Sequence, residues 1–229
     1  MKTLGLIGGI SWESTAHYYQ LLNQGVRDRL GGFHSAPLLL RSYDFDQIKN
    51  LQASGDWELL GQMLAEAARG LEAGGAEVLL ICANTMHKVA EPVRAAVKIP
   101  LLHLAEVSAA ALRAAGRDCI GLLGTRFTMQ ERFYREVLEA AGIKVLVPES
   151  ADLIEVDRII FAELVLGRFE TAARETYLQV IDRLAKRGAQ GILLGCTEIG
   201  LLVHNGQSSL PLFDTTALHV EAALSAMLA

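Results

Sequence analysis

The sequence repeats itself at an interval of about half its length, and this feature constrains the fold most. The matching segments come in the same order in both halves: Gly5–Gly8 with Gly121–Gly124, Gly75–Ile81 with Gly188–Leu194, and Pro100–Leu102 with Pro211–Phe213. One match between apolar segments could be chance, but three matches in order predict two similar halves. Two related halves are expected to face each other across a cleft, where α/β proteins bind ligands.

Short apolar segments alternate with longer amphipathic ones along the chain. We predict strands at Leu4–Ile7, Pro37–Leu40, Glu77–Ile81, Pro100–Leu102, Ile120–Leu123, Lys144–Val147, Gly191–Leu194 and Pro211–Phe213. Most lack a two-residue alternation, which is typical of parallel strands covered on both faces. Between them, Glu58–Gly70 and Thr171–Arg187 carry apolar residues at helical spacing. The pattern predicts an α/β fold of two three-layer α/β/α halves, residues 1–103 plus 214–229 and residues 104–213.

Composition excludes several classes of function. The chain has 21 Lys and Arg against 26 Asp and Glu, a net charge of −5, which argues against general nucleic-acid binding. No apolar run reaches the roughly 18 residues of a membrane span, and the apolar N-terminal stretch is too short for a signal peptide. Cys82, Cys119 and Cys196 form no C-x-x-C pair, and the histidines form no metal-binding pattern. We therefore expect no disulfide framework, no metal site and a cytoplasmic location.

The two copies of the second repeat each lead from a strand into a short polar segment. Ala83, Asn84 and Thr85 fall opposite Cys196, Thr197 and Glu198. A cysteine at a helix N-terminus has a lowered thiol pKa, so this position predicts a reactive thiolate at Cys196. The alternative for any of the three cysteines is a small buried apolar residue, which we prefer for Cys82 and Cys119.

Other polar residues lie in the loops after predicted strands. The glycines before Ser11 lack the G-x-G-x-x-G spacing of dinucleotide-binding loops, so we expect a small ligand there. The loop after Gly124 offers Thr125, Thr128 and Arg126, and Arg126 is either a carboxylate clamp or a surface residue. Gln52 lies in a polar loop that could reach the cleft. His87 is either a helix-start residue or a catalyst.

Four segments together resemble the aspartate/glutamate racemase family, which works without pyridoxal phosphate. They are Gly5–Ser14 (GLIGGISWES), Cys82–Lys88 (CANTMHK), Leu123–Thr128 (LGTRFT) and Gly195–Gly200 (GCTEIG), and they look most like the bacterial L-glutamate/aspartate branch. The resemblance implies two halves related by a pseudo-twofold axis that enclose a small acidic substrate. It implies no cofactor, and a homodimer is the family expectation. A cysteine from each half lies on either face of the substrate Cα, so one removes the proton and the other returns it.

The resemblance also implies roles for individual residues. Cys196 is the catalytic acid/base, Asn84, Thr85 and Thr197 hold the α-carboxylate, and Gln52 contacts the distal carboxylate. Stabilising the enolate-like charge in this way lowers the barrier to proton removal. Glu198 orients or tunes Cys196, or is a simple first-turn helix acid. The remaining residues expected to bind substrate are Ile10, Ser11, Thr125, Arg126 and Thr128.

The sequence departs from the family pattern where the first cysteine is expected. Ala83 occupies that position, and alanine transfers no proton. Cys82 is one residue away and should point to the other face of its strand. We therefore expect glutamate or aspartate racemisation that is weak or one-directional, with water or Thr85 serving the vacant face. Exchange without inversion, a single-cysteine decarboxylase of the arylmalonate type, a non-catalytic dicarboxylate or amino-acid binder and an engineered alanine remain alternatives.

Overall fold

A computed structural model describes the whole chain, Met1–Ala229. The strands are β1 Leu4–Gly8, β2 Leu38–Ser42, β3 Val78–Ile81, β4 Cys119–Gly124, β5 Lys144–Leu146, β6 Ile192–Gly195 and β7 Leu212–Asp214. The α-helices are α1 Trp12–Leu30, α2 Phe45–Ser54, α3 Trp57–Ala73, α4 Ala90–Ala96, α5 Leu104–Ala114, α6 Arg126–Gln130, α7 Arg132–Ala140, α8 Ser150–Ala162, α9 Thr171–Lys186, α10 Ile199–Leu202 and α11 Thr215–Leu228. Two 3-10 helices lie at Thr85–Val89 and Leu164–Leu166.

The first compact unit consists of Met1–His103 and His219–Ala229. Its parallel sheet has the strand order β2-β1-β3. Successive residues of β1 point to opposite faces, so Leu6 packs with Tyr18 of α1, whereas Ile7 packs with Leu64 of α3. Both faces are therefore covered by helices, which explains why all five residues of β1 are buried.

The second compact unit is Leu104–Leu218, with a parallel sheet of order β5-β4-β6-β7. Its central strand β4 packs Leu122 against Leu138 of α7 on one face and Leu123 against Ile181 of α9 on the other. Strand β4 has the same two kinds of neighbour as β1, with β5 in the place of β2 and β6 in the place of β3. The structure confirms the predicted α/β fold with two similar units of parallel strands.

The repeat is unequal at its third match. Pro211–Phe213 contributes to β7, whereas the predicted strand Pro100–Leu102 forms only an isolated bridge between Leu101 and Leu79. The carbonyl of Leu102 lies 2.9 Å from Nε2 of His219. Because this carbonyl bonds to a side chain, it does not continue the hydrogen bonding of the sheet beyond the single bridge. The prediction of a full strand at this segment is therefore wrong.

The chain returns to the first unit at His219, later than the predicted boundary at residue 214. The first turn of α11 is still tied to the second sheet, since the Thr215 hydroxyl donates to the carbonyl of Leu194 at 2.7 Å. Leu218 packs against the β4–α7 side of the same unit.

No helix of the structure combines the length and apolar character that a membrane crossing requires.

Candidate active site

In the first unit, the turn after β1 carries the predicted residues Ile10 and Ser11. Gly9 turns the chain with a positive φ of 80°, and its N–H donates to the Thr15 hydroxyl at 2.8 Å. The Ser11 hydroxyl caps α1 by accepting from Ser14 N at 3.3 Å. Ile10 is buried in the core between the sheet and α3. Ser11 thus holds the start of α1, and its hydroxyl lies directly after the strand end.

In the turn after β3, Cys82 and Ala83 point to opposite sides of the sheet. Cys82 packs on the α1 side of the sheet with Leu6, and burial raises the pKa of its thiol. Ala83 packs on the opposite side with Ile7 and is 7% exposed. Cys82 is therefore a small buried apolar residue with a hydrogen-bonded carbonyl, which accepts from Ser14 Oγ at 3.0 Å.

Asn84 and Thr85 continue this turn and are both buried. The strand ends of β1 and β3 are neighbours, since Ile7 pairs with Ile81, so the Ser11 and Asn84 turns leave the same edge of the sheet. Gln52 lies in α2, so the prediction of a loop at this residue is wrong. From this helix its Nε2 donates to the sulfur of Met86 at 3.2 Å. A thioether is a weak acceptor, so a stronger one could take this donor.

In the second unit, Gly124 at the end of β4 pairs with Gly195 at the end of β6. The segments that follow these two glycines therefore share one edge of the sheet. Thr125 caps α6 by accepting from Thr128 N at 3.4 Å, and the two threonine hydroxyls lie 3.2 Å apart.

Arg126 lies outside this hydroxyl pair. Its side chain is exposed, and its guanidinium carbon is 5.8 Å from the ring centroid of Phe127. Its backbone N–H donates to Asp157 Oδ1 at 2.7 Å. Within the second unit, Arg126 thus has the position of a surface residue, which was one of the two alternatives.

Three consecutive residues after β6 form a hydrogen-bonded cluster. The thiol of Cys196 donates to Glu198 Oε2 at 3.0 Å, and the hydroxyl of Thr197 donates to the same oxygen at 2.6 Å. Cys196 is 7% exposed and Glu198 is 3% exposed. A buried carboxylate requires such donors, because its charge is poorly solvated inside the protein.

The expected reactive thiolate is not the state that this geometry favours. Burial raises the pKa of Cys196 well above its usual value, and the neighbouring charge of Glu198 raises it further. The helix that follows, α10, has only four residues, so its dipole cannot offset these effects. The prediction of a lowered pKa was therefore wrong, and Cys196 rests as a thiol that can donate a proton.

Sequence analysis missed two residues next to this cluster. The charge of Asp157 on α8 also raises the Cys196 pKa. Tyr177 on α9 is buried, and burial raises the pKa of its hydroxyl, which a thiolate at Cys196 would raise further. Its hydroxyl donates to the carbonyl of Val156 at 3.2 Å. Neither residue lies in a loop motif, and only helix packing brings them here.

Neither unit contains a group of three or more His, Cys, Asp or Glu residues that could hold a metal ion. The polar residues at the strand ends are instead hydroxyls, amides and one thiol–carboxylate pair. Such groups can hold a carboxylate and move a proton, which is the chemistry of a racemase.

The chain belongs to the Asp/Glu/hydantoin racemase family, whose model matches residues 7–223. This match confirms the family resemblance and the prediction of an isomerase of the racemase class.

Known relatives agree with this membership. A Yersinia pestis protein described as a candidate Asp/Glu racemase has a similar structure, with 51% identity, full coverage of both chains and a TM-score of 0.93. An aspartate racemase homologue from Pyrococcus horikoshii is 31% identical, also over both full chains, with a TM-score of 0.88. The broad-specificity amino-acid racemase RacX of Bacillus subtilis is 23% identical over 174 residues, which cover 76% of this chain and 75% of RacX.

Proposed function

We propose that this protein exchanges and slowly inverts the Cα proton of glutamate or aspartate without a cofactor, using Cys196 as the acid/base. The observation that carries the proposal is the buried 3.0 Å contact between the Cys196 thiol and Glu198. It supplies a proton donor and, two residues away, a carboxylate that can receive that proton. The racemase names of the relatives support an acidic amino acid as substrate.

The thiol–carboxylate pair defines the proton transfers. Glu198 takes the thiol proton, and the resulting Cys196 thiolate removes the Cα proton, so that an S–H bond replaces the C–H bond. The electron pair of the broken C–H bond moves into the substrate carboxylate, where hydrogen-bond donors stabilise the enolate-like charge. A raised thiol pKa suits this step, because the Cα proton is weakly acidic and requires a strong base.

We infer that the first unit supplies no second acid/base, because Ala83 occupies the position that matches Cys196 in the repeat. Racemisation needs an acid and a base on opposite faces of one carbon. Alanine transfers no proton, so no side chain at the matching position serves the substrate face that Cys196 does not reach. A proton on that face then comes from water, and the hydroxide left behind takes the proton that Cys196 removed. We therefore expect exchange on the Cys196 face to be faster than inversion.

The remaining polar residues fit the recognition of a second carboxylate. The Gln52 amide now donates to the weak acceptor Met86, so a distal carboxylate would replace a poor bond with a better one. Ser11, Thr125 and Thr128 provide hydroxyls beside the strand ends. Substrate contacts of Ile10 and Arg126 remain predictions.

The experiment is incubation of the enzyme with L- or D-glutamate, and separately with each aspartate enantiomer, in heavy water. Proton NMR measures loss of the Cα–H signal, and chiral chromatography measures inversion. We expect exchange in the parent protein and its loss in Cys196→Ala, whereas the matched variant Cys119→Ala at the start of β4 keeps it. Exchange that survives Cys196→Ala, or a parent without exchange, would overturn the proposal.

The single thiol also favours a second candidate, a decarboxylase that protonates a planar intermediate. Carbon dioxide release from a substituted malonate, lost in Cys196→Ala, would support this reaction. Binding of a dicarboxylate with neither release nor exchange would indicate a binding protein. A homodimer and a cytoplasmic location remain predictions, which the mass in solution and cell fractionation would test.

A further inference from the structure

Three histidines of the first unit form a buried cluster that the proposed proton transfers do not use. The ring centroids of His87 and His103 are 4.7 Å apart, and those of His87 and His219 are 6.0 Å apart. All three side chains are buried. His87 lies in the 3-10 helix that follows Asn84, and it is the member of the cluster nearest to the predicted site in sequence.

The hydrogen bond of His87 fixes which of its ring nitrogens carries hydrogen. Nδ1 lies 2.9 Å from the carbonyl oxygen of Ala83. A carbonyl oxygen only accepts, so Nδ1 carries the hydrogen and donates it. Burial holds the pKa of His87 well below its usual value, and charge on His103 or His219 would lower it further. The neutral ring therefore carries hydrogen on Nδ1 and none on Nε2.

His219 supports the cluster from α11. Its Nε2 lies 2.9 Å from the carbonyl of Leu102, and its Nδ1 lies 2.9 Å from the hydroxyl of Tyr18. By the same argument, Nε2 donates to the carbonyl and Nδ1 accepts from the tyrosine. Two bonds on opposite edges of the ring hold His219 in one orientation, and the ring of His87 packs edge-on against it.

We propose that His87 is a positioning residue: its bond to the Ala83 carbonyl fixes the peptide that leads into Asn84 and Thr85. The Ala83 carbonyl belongs to the same planar peptide group as the N–H of Asn84, so holding the oxygen also sets the direction of that N–H. The backbone bond from His87 N to the Asn84 carbonyl at 3.1 Å closes the turn from the other side. The inference rests on the proposed function, in which these two residues hold the substrate carboxylate.

Two matched substitutions separate positioning from simple filling of space. His87→Asn places an amide N–H near the position of Nδ1, whereas His87→Gln places it near the position of Nε2. We expect His87→Asn to keep kcat/KM for deuterium exchange into glutamate within about threefold of the parent. We expect His87→Gln to lose about fivefold or more, the effect of one hydrogen bond. The exposed His204→Gln serves as the control for histidine replacement and should match the parent.

Equal losses in His87→Asn and His87→Gln, or no loss in either, would overturn the proposal. Nitrogen-15 NMR of the parent gives a readout that does not depend on activity or on the folding of a variant. We expect the His87 ring to be neutral with hydrogen on Nδ1 at pH 7, and a ring with hydrogen on Nε2 would contradict the assignment. A parent without exchange but with this tautomer would refute the proposed function alone. Faster amide hydrogen exchange at Asn84 in His87→Gln than in His87→Asn would then still support positioning.

Discussion

At the scale of single residues, the chemistry of the site depends on what lies beside the thiol. Sequence analysis identified Cys196 and its neighbour Glu198, but it predicted the wrong direction for the thiol pKa. The sign depends on burial and on the length of the next helix, and tertiary structure decides both. The opposite orientations of Cys82 and Ala83 could be predicted, because alternation along a strand is a local property.

Replacing Glu198 by glutamine should lower the Cys196 pKa, since the negative charge that raises it is removed. The pKa should stay above that of an exposed thiol, because burial is the larger cause. The pH dependence of iodoacetamide alkylation measures this change, while heavy-water exchange should fall at least tenfold through loss of the proton acceptor. An unchanged alkylation profile would show that Glu198 does not influence the thiol. The surface variant Glu221→Gln is the control.

Replacing Ala83 by cysteine should raise the rate of inversion. The new thiol provides the acid/base that the alanine lacks, and general acid–base catalysis contributes about a hundredfold or more. Chiral chromatography of L-glutamate turnover measures the change. Serine at Ala83 provides a control of similar size with a poorer acid/base. Inversion that stays at the parent rate in Ala83→Cys would contradict the alignment of the two halves.

At the scale of secondary-structure elements, most strands could be predicted from the sequence, whereas their contacts with distant residues could not. Seven of the eight predicted segments form strands, since buried parallel strands have a continuous apolar composition. The eighth, Pro100–Leu102, ends early because its last carbonyl bonds to His219, a residue that is 117 positions away in sequence. A contact of that range leaves no local signal, and the histidine cluster was missed for the same reason.

The histidine cluster should make stability depend on pH. Burial lowers the pKa of His219 to about 4, below its usual value of 6.5. The unfolded chain thus binds the proton more tightly, so the contribution of His219 to stability is complete above pH 6.5 and is lost as pH falls toward 4. The loss amounts to about 3 kcal/mol. Urea unfolding at pH 7 and pH 4 measures it.

His219→Gln provides the matched variant for this pH dependence, because its amide can still donate to the Leu102 carbonyl but does not titrate. The fall in unfolding free energy between pH 7 and pH 4 should be smaller in this variant than in the parent by about the same 3 kcal/mol. Equal falls in both proteins would show that His219 titrates normally in the folded chain.

At the scale of the whole molecule, the repeat predicted two units of the same design, and the structure shows them with matching strand orders. The chain returns to the first unit at His219, whereas the predicted boundary is at residue 214. The Thr215 hydroxyl donates to the Leu194 carbonyl and so keeps the first turn of α11 with the second unit. The repeat in the sequence predicts that each unit ends its strands in a comparable polar turn. It does not require equal residues there, and Cys196 in one copy stands where the other copy has Ala83.

Unequal copies have a consequence for the reaction as a whole. The two enantiomers of glutamate have the same free energy in water, so kcat/KM for inversion must be equal from either side. This equality rules out the one-directional racemisation expected from the sequence and leaves the weak one. The rate at which the Cα proton exchanges with solvent can differ between the two enantiomers. The enantiomer whose Cα–H points toward Cys196 should exchange rapidly with retention, whereas the other should exchange only as fast as it inverts.

The stereochemical course of exchange therefore tests the central claim most directly. Each glutamate enantiomer is incubated separately with the parent enzyme in heavy water, and deuterium at Cα is measured in the recovered L and D forms at early times. The account predicts that one enantiomer gains deuterium at least tenfold faster than it inverts, while the other gains it only through inversion. Equal exchange and inversion from both enantiomers would contradict a reaction with one thiol as its only side-chain acid/base.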